Sequence, residues 1–374
     1  MTRSFLEKVG LSLFIVSVLL LGAILAKDVL LPLVFGFFLS YLIYPVVWKI
    51  EKAGVPRVFS ILIVLLATIV VIGTVILLVS VKISHTSINL SDFKDQADQK
   101  TSALMNFIES NVGLQASTIK DGLTQIVDKL FSSLKSKAGQ IFTATTTTIF
   151  QIVILPVFTF FILFYRTKTA HFIFLLAGQK NKYKALQILR EISKVTTKYM
   201  SGVFIVIFIL AVLNSTGLYI IGVEYALIFG ILSAFLNLIP YFGTLLGGFI
   251  PIMYVLITSP KPFQTILQIV ILFIIVQFLE NNILTPNIVG GNIKINPFAI
   301  ILSLLFANMI WGVAGMIIVV PCLAMAKIVM RNIESLQPYA FLISDRGVEK
   351  YQLNFSGRLN NYRLKVKQLW KKLR

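Results

Sequence analysis

Residues 237–248 read NLIPYFGTLLGG and lie in the middle of a window, Tyr225–Pro260, that contains no charged residue. A continuous helix of that length would measure roughly 54 Å, whereas the hydrocarbon core of a bilayer is about 30 Å thick. Pro240 cannot donate a backbone hydrogen bond, and glycines follow it closely, so the helix should break there. Broken backbone at membrane depth is tolerated only against protein or a water-filled cavity. We therefore interpret residues 237–248 as the centre of a solute path.

The composition indicates a polytopic membrane protein. Hydrophobic residues make up 57% of the 374-residue chain and charged residues only 13%, which excludes an ordinary soluble domain. The charge-free windows long enough to span a bilayer are Val9–Ala26, Val29–Trp48, Val58–Val81, Ala138–Tyr165, Tyr199–Val223, Tyr225–Pro260, Pro262–Leu279 and Ile295–Ala326. We predict an all-α fold with about eight transmembrane or re-entrant helices, discontinuous helices in the C-terminal half and a small extracytoplasmic helical insertion.

The placement of charge predicts the orientation. Segment 166–198 has eight Lys or Arg residues against one Glu, and the chain from Lys327 onward has eleven against three acidic residues, whereas segment 85–137 has six of each sign. By the positive-inside rule, eight crossings place both termini in the cytoplasm and segment 85–137 outside. The net charge of +19 lies mostly beside the apolar windows. Nucleic-acid binding is therefore not expected, because no basic globular module is left to do it.

The windows and the charge pattern divide the chain into six segments. Residues 1–83 carry the first three transmembrane helices, 84–140 an extracytoplasmic amphipathic helical segment, 141–165 the fourth transmembrane helix, 166–198 a cytoplasmic basic amphipathic helix, 199–330 the transport core and 331–374 a basic cytoplasmic tail. In segment 166–198, Arg190, Lys194 and Lys198 recur at four-residue spacing beside an apolar stripe. This pattern is typical of an interfacial helix that lies on anionic lipid.

A second interrupted region follows the seventh window, where residues 277–297 read QFLENNILTPNIVGGNIKINP. Two apolar segments interrupted by Gly and Pro in one half of a membrane protein indicate a transport site built from discontinuous helices. The candidate pathway residues are Asn237, Pro240, Tyr241, Gly243, Gln277, Glu280, Asn281, Pro286, Gly290 and Asn308.

Glu280 is the candidate for proton coupling, because an ionisable side chain at membrane depth is costly and usually functional. The alternative is a Glu at the water interface that caps the neighbouring amides. The amide side chains of Asn237, Gln277 and Asn281 suit an uncharged polyol or a desolvated cation, or else hydrogen bonds between helices. Asn214, in the fifth window, is assigned to packing.

Enzymatic functions lack the residues that they need. The two histidines, His85 and His171, fall outside the spanning windows, and the sequence has no HExxH motif and no phosphate-binding loop. The single cysteine, Cys322, excludes disulfides within the chain and cysteine-ligated metal. We predict no enzymatic activity, no cofactor and no metal site.

Motifs along nearly the whole chain match one family. They are LPL at 31–33, YP at 44–45, GVPR at 54–57, Pro156 through Arg166, NLIPYFG at 237–243, Gln277 with Glu280-Asn281, PNIVG at 286–290, Asn296-Pro297, and WGVAG at 311–315 before Pro321. Together they resemble the autoinducer-2 exporter family of bacterial membrane proteins. The chain departs from that family at Asn287, where an Arg is frequent, and at Asn296, where a His is frequent, so no role of those residues is carried over.

The resemblance implies a multi-pass permease of the bacterial cytoplasmic membrane that works as a homo-oligomer. Its ligands would be a small polar metabolite, with autoinducer-2-like signals first, or Na⁺ or Li⁺ exchanged for protons. Two hypotheses follow: a proton-coupled or facilitative metabolite exporter and a Na⁺(Li⁺)/H⁺ antiporter. A third hypothesis, a non-transporting oligomeric scaffold, rests instead on the predicted outside helices and the basic tail. In both transport hypotheses Glu280 exchanges the proton, and the lipid bilayer is the protein's surroundings.

Overall fold

The computed structural model describes residues 5–85, 99, 146–240, 242–259, 262–289 and 294–345, which form helices without a β-strand. The helices are α1 (Phe5–Leu25), α2 (Lys27–Lys52), α3 (Arg57–His85), α4 (Thr146–Phe164), α5 (Arg166–Ile221), α6 (Ala226–Leu236), α7 (Phe242–Thr258), α8 (Pro262–Leu279), a π-helix (Glu280–Val289), α9 (Pro297–Asn332), a 3₁₀ turn (Glu334–Leu336) and α10 (Gln337–Leu342). Five of the described helices are long and apolar enough to cross a membrane. The all-α polytopic prediction is confirmed. The predicted extracytoplasmic helices and the tail beyond residue 345 lie outside the described residues.

The N-terminal bundle is built from α2, α3 and α4. Gly36 of α2 lies directly against α4, because a Cβ at this position would come within 3.3 Å of the Leu155 carbonyl oxygen. At one end of α2, Gln151 of α4 donates to Asp28 at 3.1 Å, and at the other end Arg166 pairs with Glu51. The two helices therefore run parallel.

Helices α6 and α7 form a hairpin rather than one crossing. The Ser233 hydroxyl of α6 donates to the Gly247 carbonyl of α7 at 2.6 Å, and at the open end the Tyr225 and Tyr254 rings are 5.5 Å apart. The chain reverses between Leu236 and Phe242, so the predicted break near Pro240 is confirmed. The sequence allowed this window either to span or to re-enter, and the hairpin, whose two ends lie together, is the re-entrant alternative. Window length alone did not indicate whether the chain continues or returns after the break.

Helix α9 also folds back on itself. Its one non-helical residue is Gly312, with φ 62° and ψ −146°, and the Lys327 ammonium at one end donates to the Lys294 carbonyl beside the other. A straight helix would separate those residues by roughly 50 Å. The window Ile295–Ala326 is therefore folded back at Gly312 rather than being one straight helix. Each hairpin therefore returns the chain to the end of the bundle from which it came.

Replacement of Gly312 by Ala is expected to destabilise the α9 hairpin. Only glycine adopts this combination of φ and ψ readily, so a side chain costs about 1–3 kcal/mol. We expect Gly312→Ala to lower the unfolding temperature of the detergent-purified protein. Gly22→Ala in α1 is the matched control, because its Cβ would meet no atom within 4 Å. An equal unfolding temperature for both variants would contradict the hairpin.

Helix α5 departs from its helical path only at Gly178. Residues 179–221 therefore form one helix of roughly 64 Å, which is longer than a bilayer core is thick. The basic stretch at 179–198, which has the pattern of an interfacial helix, is thus continuous with the apolar window that begins at Tyr199. No Gly or Pro occurs between residues 179 and 201 to break it. Val195, on this extension, packs against the base of the α9 hairpin.

Candidate functional site

Two amide side chains from different parts of the chain hold the carboxylate of Glu280. Asn237, at the tip of the α6–α7 hairpin, donates from Nδ2 to Glu280 Oε1 at 2.9 Å. Gln277, in the last turn of α8, donates from Nε2 to Oε2 at 2.8 Å. Both carboxylate oxygens therefore accept a hydrogen bond, and the carboxylate connects the hairpin tip to α8.

The π-helix places Glu280 where α8 changes its winding. Glu280 is the first residue of this segment, which continues to Val289. π-helical turns are rare and occur frequently at functional sites. Gly202 of α5 allows the segment to approach closely, because a Cβ there would be 2.9 Å from the Val289 Cα. A side chain at position 202 would push the π-helix away from α5.

A small cavity of about 20 Å³ lies beside this carboxylate. It is lined by Leu210, Asn214, Ser233, Asn237, Thr244, Phe273, Val276, Gln277 and Glu280. A volume of this size holds about one water molecule. Among the described residues that line it, Glu280 has the only ionisable side chain. The cavity therefore carries a local negative charge whenever Glu280 is ionised.

Asn214 of α5 presents an acceptor that the described residues leave unsatisfied. The residue is only 4% exposed, and within the described part of the chain its Oδ1 accepts no hydrogen bond. A buried acceptor without a donor costs about 1–3 kcal/mol, so a ligand that brings a donor or a positive charge would be favoured here. Together with Glu280, Asn214 makes the cavity suited to hydroxyl groups or to a cation, and unsuited to an anion.

The structure brings together four of the predicted pathway residues. Asn237, Gln277 and Glu280 line the cavity, and the exposed Asn281 accepts from Gln277 at 3.1 Å. Gly243 lies in the tip, where its N–H donates to the Ile239 carbonyl at 2.9 Å.

The other predicted pathway residues lie elsewhere. Pro240 is in the hairpin tip, Pro286 is exposed on the π-helix, and Asn308 is exposed on the first half of α9. None of these three lines the cavity. Tyr241 and Gly290 lie outside the described residues.

Sequence reasoning missed Asn214, Ser233 and Thr244 as lining residues. The sequence interpretation assigned Asn214 to packing, although a single amide in an apolar window can also indicate a polar site. Ser233 and Thr244 carry short hydroxyl side chains, which commonly hydrogen-bond to the helix backbone. Their positions in the sequence therefore do not indicate a cavity.

Comparison with known proteins identifies the family. The model described as AI-2E family transporter matches residues 13–335. The chain belongs to the AI-2E transporter family. The resemblance inferred from the motifs is therefore confirmed, and membership supports membrane transport rather than a scaffold role. The family covers both hairpins, the π-helix and every described residue that lines the cavity.

Two relatives within the AI-2E family align over most of their length. The AI-2 transport protein TqsA of Escherichia coli is 24% identical over 353 residues, which cover 91% of this chain and 97% of TqsA. YrrI of Bacillus subtilis, a provisionally named transport protein, is 28% identical over 315 residues, which cover 81% of this chain and 86% of YrrI. Both names give transport as the role, and only the first gives a solute.

Proposed function

We propose that this AI-2E family protein exports a small polar metabolite through the Glu280 cavity, with autoinducer-2-like molecules as the first candidate. The observation that carries the proposal is the Glu280 carboxylate, which is held by amides from two separate elements beside a buried acceptor. The name of TqsA supports this solute class. Assembly as a homo-oligomer and cytoplasmic termini belong to the same proposal.

Protonation of Glu280 would couple proton movement to substrate movement. A neutral carboxyl has one hydroxyl that donates rather than accepts, so it would weaken the hydrogen bond from Asn237 or from Gln277. The hairpin tip could then separate from α8 and enlarge the cavity. This enlargement is required, because a space for about one water molecule cannot hold a metabolite. Substrate hydroxyls would accept from the amide N–H that Glu280 releases and would donate to Asn214 Oδ1.

The size of the cavity favours a second candidate, Na⁺(Li⁺)/H⁺ antiport. A space of about 20 Å³ accommodates a dehydrated monovalent cation without any opening. Glu280 and Asn214 supply the oxygen ligands that such a cation binds. In this mechanism the proton and the cation compete for Glu280, and the competition is itself the coupling.

Proteoliposomes that hold a pH gradient, read by an internal pH-sensitive dye, test both candidates. Pulses of Na⁺ or Li⁺ should leave the gradient unchanged if the protein exports a metabolite, and should collapse it if the protein is an antiporter. Autoinducer-2 should change the internal pH in a coupled exporter. A facilitative exporter should instead give counterflow of labelled autoinducer-2. The metabolite proposal is rejected if autoinducer-2 produces neither response in vesicles that contain folded protein.

A further inference from the structure

A second cavity, of about 760 Å³, lies between α5, the base of the α9 hairpin and α10. It shares no lining residue with the cavity at Glu280, and its volume is in the range of small-molecule sites. We propose that this basic cavity binds a phosphate-bearing anion, supplied either by the headgroup of an anionic lipid or by a soluble phosphate compound.

Charge is the first argument for an anionic ligand. Lys194 of α5, Lys294 before α9, and Lys327 and Arg331 near the end of α9 all line the cavity. The acidic side chain among the described lining residues is Glu191, which pairs with Arg331 at 2.5 Å. Among the described lining residues, four cations and one carboxylate leave a net charge of +3. Phosphate oxygens are strong acceptors for these side chains.

Two of these lysines are placed so that their charge can reach a ligand. Lys194 and Lys294 are exposed, and neither forms an ion pair with a described residue. Lys327, which also lines the cavity, donates to the Lys294 carbonyl. Asp345 is bonded to that same carbonyl through its backbone N–H at 3.2 Å, but it does not line the cavity.

The floor of the basic cavity is apolar. Val195, Ile295 and Ala324 line it and also pack together in one hydrophobic cluster. Val195 lies four residues before the spanning window that begins at Tyr199, so the floor lies near the membrane surface. Basic pockets between helices at the cytoplasmic surface are typical sites for anionic headgroups. An apolar floor below a cationic rim matches the carbon and phosphate parts of such a ligand.

A general excess of positive charge on the cytoplasmic side does not account for this convergence. Lys180, Lys182 and Lys184 lie on the same helix as Lys194 and are exposed, yet they do not line the cavity. The lining cations come instead from three separate parts of the chain, which the folded α9 hairpin brings together. Two of these lysines, Lys182 and Lys184, supply a control in which the same number of positive charges is removed.

Titration calorimetry on the purified full-length protein tests the proposal. The probes are dihexanoyl phosphatidylglycerol and inorganic pyrophosphate, with dihexanoyl phosphatidylcholine as the zwitterionic control. We expect saturable binding of at least one anionic probe. Lys194→Gln combined with Lys294→Gln should weaken it by about tenfold for each lysine removed. Lys182→Gln combined with Lys184→Gln should change it by less than about twofold, because exposed charges outside the site are screened.

Each outcome decides the proposal. Binding of the anionic lipid alone assigns the site to a headgroup, and binding of pyrophosphate assigns it to soluble phosphate compounds. No saturable binding of either probe, or an equal loss in both lysine pairs, overturns the site. Lys194→Arg combined with Lys294→Arg should retain binding of the anionic probe. If this variant lost binding, positive charge would not be the basis of the interaction. Because both test lysines are exposed, we expect the variants to keep the wild-type unfolding temperature. This measurement verifies that they are folded.

Discussion

Replacement of Glu280 by Gln is expected to reduce proton-coupled transport to the level of protein-free vesicles. The amide has nearly the shape of the carboxylate but cannot exchange a proton, and it has one oxygen to accept where the carboxylate has two. Asn237 and Gln277 both donate to Glu280, so one of these two bonds is lost permanently. Dye-loaded proteoliposomes measure the effect for whichever solute the wild-type protein moves.

Glu334→Gln is the matched control for this substitution. Glu334 is exposed in the turn after α9 and lines neither cavity, so its replacement should leave transport unchanged. Solute counterflow with equal pH on both sides measures solute movement that is not coupled to protons. Glu280→Gln should abolish proton-coupled transport but can retain this uncoupled movement. Wild-type coupled transport by Glu280→Gln would exclude Glu280 as the proton carrier. A low unfolding temperature for Glu280→Gln alone would instead indicate a structural role.

Replacement of Gly243 by Ala should have the largest effect on stability and should abolish transport. A Cβ at this position would lie 2.0 Å from the carbonyl oxygen of Leu236, where normal contact requires more than about 3 Å. The clashing atom belongs to the backbone of the same turn, so no change of rotamer relieves it. Overpacking of this kind costs about 3 kcal/mol or more. The tip would open, and Asn237 would move away from Glu280.

Gly73→Ala is the control for the hairpin tip. Gly73 lies within α3, and a Cβ there would meet no atom within 4 Å, so alanine should be neutral or slightly stabilising in that helix. Gly243→Ala should have a lower unfolding temperature in detergent and lower transport in proteoliposomes than Gly73→Ala. Wild-type values for Gly243→Ala in both assays would show that the chain does not reverse as tightly as described.

Local chemistry explains which features could be predicted. Pro240 lacks an N–H whatever surrounds it, so a break in that window could be inferred without a structure. Gln277, Glu280 and Asn281 are three and four residues apart near a helix end, so their proximity follows from helix geometry. The predicted all-α membrane fold rests on composition in the same way, because apolar windows of sufficient length have few other solutions.

Contacts between distant parts of the chain could not be predicted. Asn237 and Glu280 are 43 residues apart, and their meeting depends on the direction in which the chain leaves the break at Pro240. The reversal at Gly312 rests on a backbone conformation that the sequence shows only as one glycine among 22. The sequence by itself thus determined the helices, the first break and the carboxylate to examine. Only the tertiary structure decided that two windows return as hairpins and that Asn214 and Glu280 line one cavity, because the direction of a turn depends on the surfaces against which it packs.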